Sequence, residues 1–202
     1  MPKKLDEYNQ KRDFQRTEEP EGGEAQPQSL LRFVVQHHMA RREHYDFRLE
    51  WEGVLISWAV PKGPSYDPRD KRLAVKVEDH PLDYRNFEGT IPKGEYGGGV
   101  VLIWDEGYWE PQADVNEGLR QGSIKFTLAG RRLKGKWALV RMKAKEGEDK
   151  RNWLLLKERD EYAQTGDGIA EFDKSVRTGR TMAEIEGGAD EVIARNPFDR
   201  AE

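Results

Sequence analysis

Residues 44–51 (HYDFRLEW) alternate without a break. Tyr45, Phe47, Leu49 and Trp51 fall on one parity, and His44, Asp46, Arg48 and Glu50 on the other. A period of two marks a strand with one buried face. Glu52-Gly53 then reads as a tight turn, with VLISWAV (54–60) returning as the partner strand. LRFVVQ (31–36) precedes this hairpin. Further strand candidates follow at LAVKVE (73–78), GVVLIW (99–104), SIKFTL (123–128), KWALVRM (136–142) and NWLLLK (152–157). Pro61, Pro64 and Pro68 mark a loop. Short strands separated by Gly/Pro turns predict a mainly β protein, a compact β-barrel with short peripheral helices, rather than alternating βαβ units. Trp58, Trp104, Trp109, Trp137 and Trp153 lie in these apolar runs and are expected in the core.

The ends have a different character. Thr17 to Gln28 is rich in Glu, Gly, Pro and Gln and shows no periodicity. Residues 1–28 therefore read as an N-terminal arm, 29–162 as the barrel, and 163–202 as an acidic tail. Thr181 and Glu184 have capping-box spacing and predict a short helix over about 182–194.

Composition narrows the function classes. Charged and apolar residues each make up 36% of the 202-residue chain, and six Trp, seven Tyr and seven Phe argue against full disorder. No apolar run is long enough for a membrane-spanning helix, and MPKKLDEYNQ lacks the apolar core of a secretory signal. There are no cysteines, which excludes disulfides, Cys-zinc sites and thiol nucleophiles together. A cytoplasmic, monomeric protein with no membrane partner is expected. Net charge is −4, but residues 101–160 hold thirteen bases against ten acids while residues 161–202 hold five against ten. A phosphate-binding face on the middle of the chain is compatible with acidic ends, as is an ordinary solvated surface of mixed sign.

The candidate chemistry lies between positions 37 and 80, where all four histidines occur. His44, Asp46 and Arg48 share a strand face, about 7 Å apart in succession. His38, on the preceding segment, can return beside His44. Two imidazoles and a carboxylate suit Mn²⁺, Zn²⁺, Fe²⁺ or Co²⁺ better than Ca²⁺; the bland alternative is a polar strand face wetted by solvent. In RLAVKVEDH, Leu73, Val75 and Val77 point one way, and Arg72, Lys76, Glu78 and His80 share the other parity. If that face joins the first, Arg72 and His80 come to lie beside Arg48. A metal, two guanidiniums and a further imidazole are the parts of a phosphoryl-transfer centre. Tyr84 could reach the same oxyanion. GEYGGG (94–99) lacks the phosphate-loop pattern and reads as a barrel corner.

Two long stretches carry a family resemblance. RFVVQHHMARREHYDFRLEWEGVLISWAVPKGPS and KRLAVKVEDHPLDYRNFEGTIPKGEYGGG resemble the 3′-phosphoesterase domain of bacterial and archaeal DNA ligase D. YNQKRDFQRTEEP upstream and NWLLLKERDEYA downstream extend the likeness over roughly residues 8–162. Polymerase and ligase modules have no room in this chain, so it is expected to be a freestanding member or an excised piece. The resemblance implies a β-barrel enzyme dependent on Mn²⁺, with Co²⁺ or Zn²⁺ as substitutes. Such an enzyme removes a 3′-terminal ribonucleoside and then the remaining 3′-phosphate, leaving a 3′-OH on a DNA primer-template for a partner ligase. It implies His38, His44 and Asp46 as metal ligands, and Arg48, His80 and Tyr84 as catalytic and phosphate-binding residues, with Arg72 nearby. Arg12, Asp13 and Glu19 match a segment that folds over the barrel mouth, and Glu78 matches an acidic position tied to the diesterase step. His37 stands where many members carry Lys; register against the downstream H-Y-D-F-R assigns the ligand role to His38.

Two readings from other classes also fit parts of the pattern. His44, Asp46 and His80 could form the facial triad of a cupin-like non-haem iron oxygenase. A non-catalytic module that binds DNA ends and recruits a ligase needs the basic residues but not the imidazole and carboxylate set.

Overall fold

The computed structural model describes residues 4–23 and 30–188. Its strands are β1 (Arg32–Met39), β2 (Glu43–Trp51), β3 (Val54–Val60), β4 (Arg72–Pro81), β5 (Gly89–Ile91), β6 (Gly99–Pro111), β7 (Ser123–Gly130), β8 (Lys134–Arg141) and β9 (Asn152–Lys157). Neighbours run in the order β1-β2-β3-β4-β9-β8-β7-β6, all antiparallel, and β6 pairs back onto β1 to close a barrel of eight strands. The short β5 attaches to the far edge of β6. Closure removes the exposed edges that an open sheet of this size would carry.

One parity of each strand fills the interior. Phe33, Val35, Phe47, Leu49, Trp58, Trp104, Phe126, Trp137 and Leu155 belong to one buried cluster. All five tryptophans expected in the core are buried. The long β6 pairs with β1 along one edge and with β5 and then β7 along the other, and Gly107 lies opposite both Phe33 and Gly130.

The outer wall of β1–β4 is covered as well. A second apolar cluster of Tyr8, Leu55, Tyr84, Phe87, Ile91 and Val101 lies against it. Helix α1 (Asp6–Gln10) supplies Tyr8, and a 3₁₀ turn over Leu82–Asn86 supplies Tyr84. The arm is clasped shut locally: Tyr8 Oη donates to the Pro20 carbonyl (2.7 Å), and the Asn9 amide both donates to and accepts from Gly22. The arm therefore covers the side wall rather than the barrel mouth. Positions 1–3 and 24–28 of the expected arm lie outside the described residues.

Several expectations need correction. The parity assigned to β4 holds only locally. Ala74, not Leu73, faces the interior, and Leu73 is exposed. Ser57 pairs with Val77 and Leu55 with His80, so β4 carries one extra residue at that point. This bulge reverses the parity between Arg72 and His80. Helix α2 (Val115–Gln121), capped by the Asp114 side chain and ended by Gly122 with φ 82°, was not foreseen. Helix α3 (Met182–Glu186) has the expected Thr181–Glu184 capping box, but it ends before Gly187; positions from 189 lie outside the described residues. The segment after β9 is packed, with Ile169 and Ile185 joining the interior cluster. No helix among the described residues is long and apolar enough to cross a membrane.

Gly107 gives a direct test of closure. A Cβ there would meet the Ala129 carbonyl oxygen at 2.1 Å and Gly130 Cα at 2.8 Å, both backbone. Gly107→Ala should cost about 1–3 kcal/mol, as overpacking does, read as a lower urea midpoint at unchanged slope.

Candidate active site

The cavity on the outer wall measures about 310 Å³ and is lined by residues of β1 to β4, the 3₁₀ turn, the loop after β5, and the arm. Pairing of β1 with β2 sets its centre. His38 lies opposite His44, and Gln36 opposite Asp46. All four take the outward parity, with the interior parity occupied by Val35, Phe47 and Leu49. His38, His44 and Asp46 each present one donor atom within 4.8 Å of the others.

The imidazoles are held for this task. His38 Nε2 meets the Gly97 carbonyl at 2.7 Å and its Nδ1 faces Asp46 Oδ2 at 3.5 Å. His44 Nδ1 meets the Arg42 carbonyl at 2.9 Å and its Nε2 faces the same carboxylate oxygen at 3.3 Å. A carbonyl accepts, so each ring donates there, and the opposite nitrogen is the one turned to Asp46. That arrangement fixes tautomer and ring orientation as metal-binding histidines require. Gly97 adopts φ 75°, a backbone conformation few other residues tolerate, and this turns its carbonyl onto His38. Burial opposes charge on Asp46, but the Arg48 guanidinium and the two imidazoles hold its carboxyl well below the usual range. Burial also lowers the His44 pKa, yet hydrogen bonding and charge from Asp46 leave it raised overall. Two imidazole nitrogens and one carboxylate oxygen fit a divalent transition ion.

Arg48 is 2% exposed. Its Nε donates to Gln36 Oε1 (2.7 Å), Nη2 lies 3.4 Å from Asp46 Oδ2, and Nη1 is buried without a hydrogen-bond partner among the described residues. Such an orphaned guanidinium donor is what an anionic oxygen would satisfy. His80 arrives from β4 beyond the bulge. Tyr8 and Tyr84 pack edge-on against its ring, at 4.9 and 4.7 Å between centroids. Its Nδ1 donates to the Glu78 carbonyl (3.0 Å), leaving Nε2 to face Arg12 Nη2 at 3.4 Å. Burial, then the charges of Arg48 and Arg12, push its pKa well below the usual value, so the ring is neutral here. Tyr84 is buried and its phenol is raised well above the ordinary value by that burial, so it too is neutral.

The arm reaches the cavity through Arg12, which pairs with Glu19 (2.8 Å) and Glu78 (3.4 Å) and covers the Tyr8 ring. Not every expected residue arrives. Arg72 takes the interior parity ahead of the bulge and pairs with Asp167 at 3.0 Å, outside the cavity lining. Asp13 is exposed and accepts from the Gln15 N–H in a local turn. His37 turns the other way, stacked on Tyr45 and bonded to Glu43, which removes the ambiguity of the paired histidines. His80 stands outside the three-donor group, against the facial-triad reading.

Sequence reasoning missed Gln36. It is fully buried, accepts from Arg48, and donates to the carbonyls of Tyr84 and Phe87 at 2.8 and 2.9 Å. Its signal was parity: an amide on the His38 face of a strand otherwise rich in valine. Tyr8 and Tyr96, both beside Arg12, were also passed over. Gln36→Leu should strand Arg48 Nε and two carbonyls, costing about 1–3 kcal/mol for each group left without a partner, measured by urea unfolding.

The chain matches the model of the DNA ligase D 3′-phosphoesterase domain over residues 36–141. It is 48% identical over 198 residues to the multifunctional non-homologous end joining protein LigD of Pseudomonas aeruginosa, a match covering 96% of this chain and 23% of that protein. The corresponding protein of Mycolicibacterium smegmatis is 42% identical over 165 residues, covering 78% and 21%. That of Mycobacterium tuberculosis is 50% identical over 109 residues, covering 54% and 14%. The chain thus spans less than a quarter of the length of these relatives.

Proposed function

The chain belongs to the DNA ligase D 3′-phosphoesterase domain family, and on that premise we propose that it is a divalent-metal-dependent hydrolase of DNA 3′ ends acting in non-homologous end joining. The supporting observation is one cavity in which three metal-capable donor atoms meet a buried arginine fork with a donor to spare. The substrate is a primer-template ending in a 3′-ribonucleoside or a 3′-phosphate. In the first step water attacks the diester phosphorus, the bond to the ribonucleoside 5′ oxygen breaks, and a 3′-phosphate remains. In the second, water displaces the DNA 3′ oxygen, giving inorganic phosphate and a 3′-OH. That hydroxyl is what a DNA ligase consumes, which makes a ligase the partner activity.

His38 through Nδ1, His44 through Nε2 and Asp46 would hold the cation, Mn²⁺ foremost, with Co²⁺ or Zn²⁺ as substitutes. When bound, it supplies charge that polarises a non-bridging phosphate oxygen. Arg48 clamps the other non-bridging oxygens with its fork, and Tyr84 donates a hydrogen bond to the same phosphate. His80 lines the cavity, and Nε2 is its nitrogen not engaged by the backbone. Burial is the main reason the ring is neutral, and an anionic phosphate offsets the Arg48 and Arg12 charges that add to it. The imidazole can then carry the proton required by the departing oxygen. Arg12, held by Glu19 and Glu78, positions the extra nucleoside of the diester.

The decisive assay incubates a labelled primer-template bearing a single 3′-ribonucleotide with Mn²⁺ and resolves products by gel. A 3′-phosphate should form and then give way to a 3′-OH, and excess chelator should stop both; full activity with the metal removed would overturn the reading. Arg48→Lys keeps the charge but loses the fork, and should lower turnover by roughly 100-fold.

The ligand set has its own test, independent of turnover. Calorimetric titration with Mn²⁺ should show binding lost in His38→Ala and kept in His80→Ala. The opposite pattern would return the assignment to the His44, Asp46 and His80 triad.

A further inference from the structure

Successive residues of a 3₁₀ turn point about 120° apart. Tyr84 therefore enters the candidate active site while its neighbour Arg85 faces a separate cleft, lined also by Arg32, Arg177 and Glu106. Arg177 is committed: it pairs with Glu106 through Nε (2.9 Å) and Nη2 (3.3 Å) and donates to Asn86 Oδ1 (2.9 Å). Glu50, the other nearby carboxylate, accepts from the Arg32 backbone N–H at 2.9 Å. The Arg85 side chain makes no hydrogen bond or ion pair among the described residues, and its Nε is buried without a partner. Three guanidiniums thus share two carboxylates, and the surplus charge sits on the arginine with the orphaned donor. Burial and the charges of Arg32 and Arg177 lower the Arg85 pKa, yet a guanidinium stays charged. The cleft has about 10 Å³ of free volume, room for one water-sized atom, such as a phosphate oxygen.

We propose that this cleft holds a backbone phosphate of the DNA strand whose 3′ end enters the candidate active site. The inference rests on the function proposed above. Arginine forks match phosphate geometry, and a site with one donor to spare recognises a phosphodiester without reading sequence. Its position suits the same strand. Arg32, Gln36 and His38 share the outward parity of β1. Six residues separate Arg32 from His38, about 20 Å at roughly 3.3 Å each. Phosphates of a B-form strand advance about 3.4 Å each along the axis. The contact therefore falls several nucleotides upstream of the reacting end.

The test uses the full chain and its Arg85→Gln, Arg32→Gln and Arg85→Lys variants. Binding to a fluorescent primer-template ending in 3′-OH is followed by anisotropy across a salt series. Each glutamine variant should bind several-fold more weakly and flatten the log–log salt slope by about one, while Arg85→Lys keeps the slope. In parallel, a dinucleotide with a 3′-phosphate, too short to reach the cleft, should be hydrolysed at the wild-type rate by every variant. On a long primer only KM should rise. Unchanged affinity and slope in both glutamine variants would overturn the proposal, as would equal losses on short and long substrates. A wild-type protein that hydrolyses neither substrate would instead overturn the hydrolase reading, and the titration would still decide the cleft.

Discussion

A carboxylate buried as deeply as Asp46, at 6% exposure, keeps its charge only where cationic or hydrogen-bonding partners surround it. Arg48, His38 and His44 provide that company, all within 3.5 Å of the same oxygen. The β1–β2 register brings them together, because His38 faces His44 and Gln36 faces Asp46 across the ladder. A slip by one residue would turn Val35 and Phe47 into the cavity and the polar set into the barrel. The apolar interior therefore specifies the site, since the packing of Phe33, Phe47 and Leu49 forbids that slip. Gln36 completes the arrangement by holding Arg48 Nε, so Arg48, which lines the cavity, does not close wholly on Asp46.

A barrel wall with one dry face usually leaves its other face to water. Here the outer face of β1–β4 is roofed by α1, the 3₁₀ turn and the loop after β5. The roof is apolar where it meets Leu55, Ile91 and Val101, and ionic where Arg12 crosses to Glu78. Placing charges beneath such a cover strengthens every interaction among them. It also raises the cost of any donor left without a partner, which is why the unpartnered Nη1 of Arg48 stands out.

Much of this was legible in the chain because strand parity is a strong constraint. The alternation in HYDFRLEW separated His44, Asp46 and Arg48 from the core residues, and the structure keeps that separation. Parity failed on β4 because a bulge has no signature in residue type. One inserted position carried His80 to the outer face and left Arg72 on the interior parity, bound to Asp167. For Gln36 parity marked only its face; its role lies in three hydrogen bonds to distant residues, which no local pattern encodes. The family resemblance supplied Arg12 and Glu19, which composition alone would have left in a loop. It also suggested Asp13, which the structure leaves at the surface. The three-residue β5 and the capped α2 are too short to dominate a periodicity window, and their existence follows from tertiary pairing.

The cavity divides into two parts with different dependencies. The three donor atoms rest on β1, β2 and the Gly97 and Arg42 carbonyls, none of which belongs to the arm. His80 is different. Its ring is held by Tyr84, Tyr8 and the Glu78 carbonyl, while its Nε2 faces Arg12. Two of those four neighbours come from the arm. Removing the arm would leave the donor group intact but take Tyr8 from beside the imidazole, lessen its burial and strip away one of the charges that lower its pKa. The barrel wall thus carries what would hold a cation, while the protonation and aim of His80 are set jointly by wall and arm. The N-terminal arm, through Tyr8 and Arg12, thus controls the one imidazole in the cavity that stands outside the donor group.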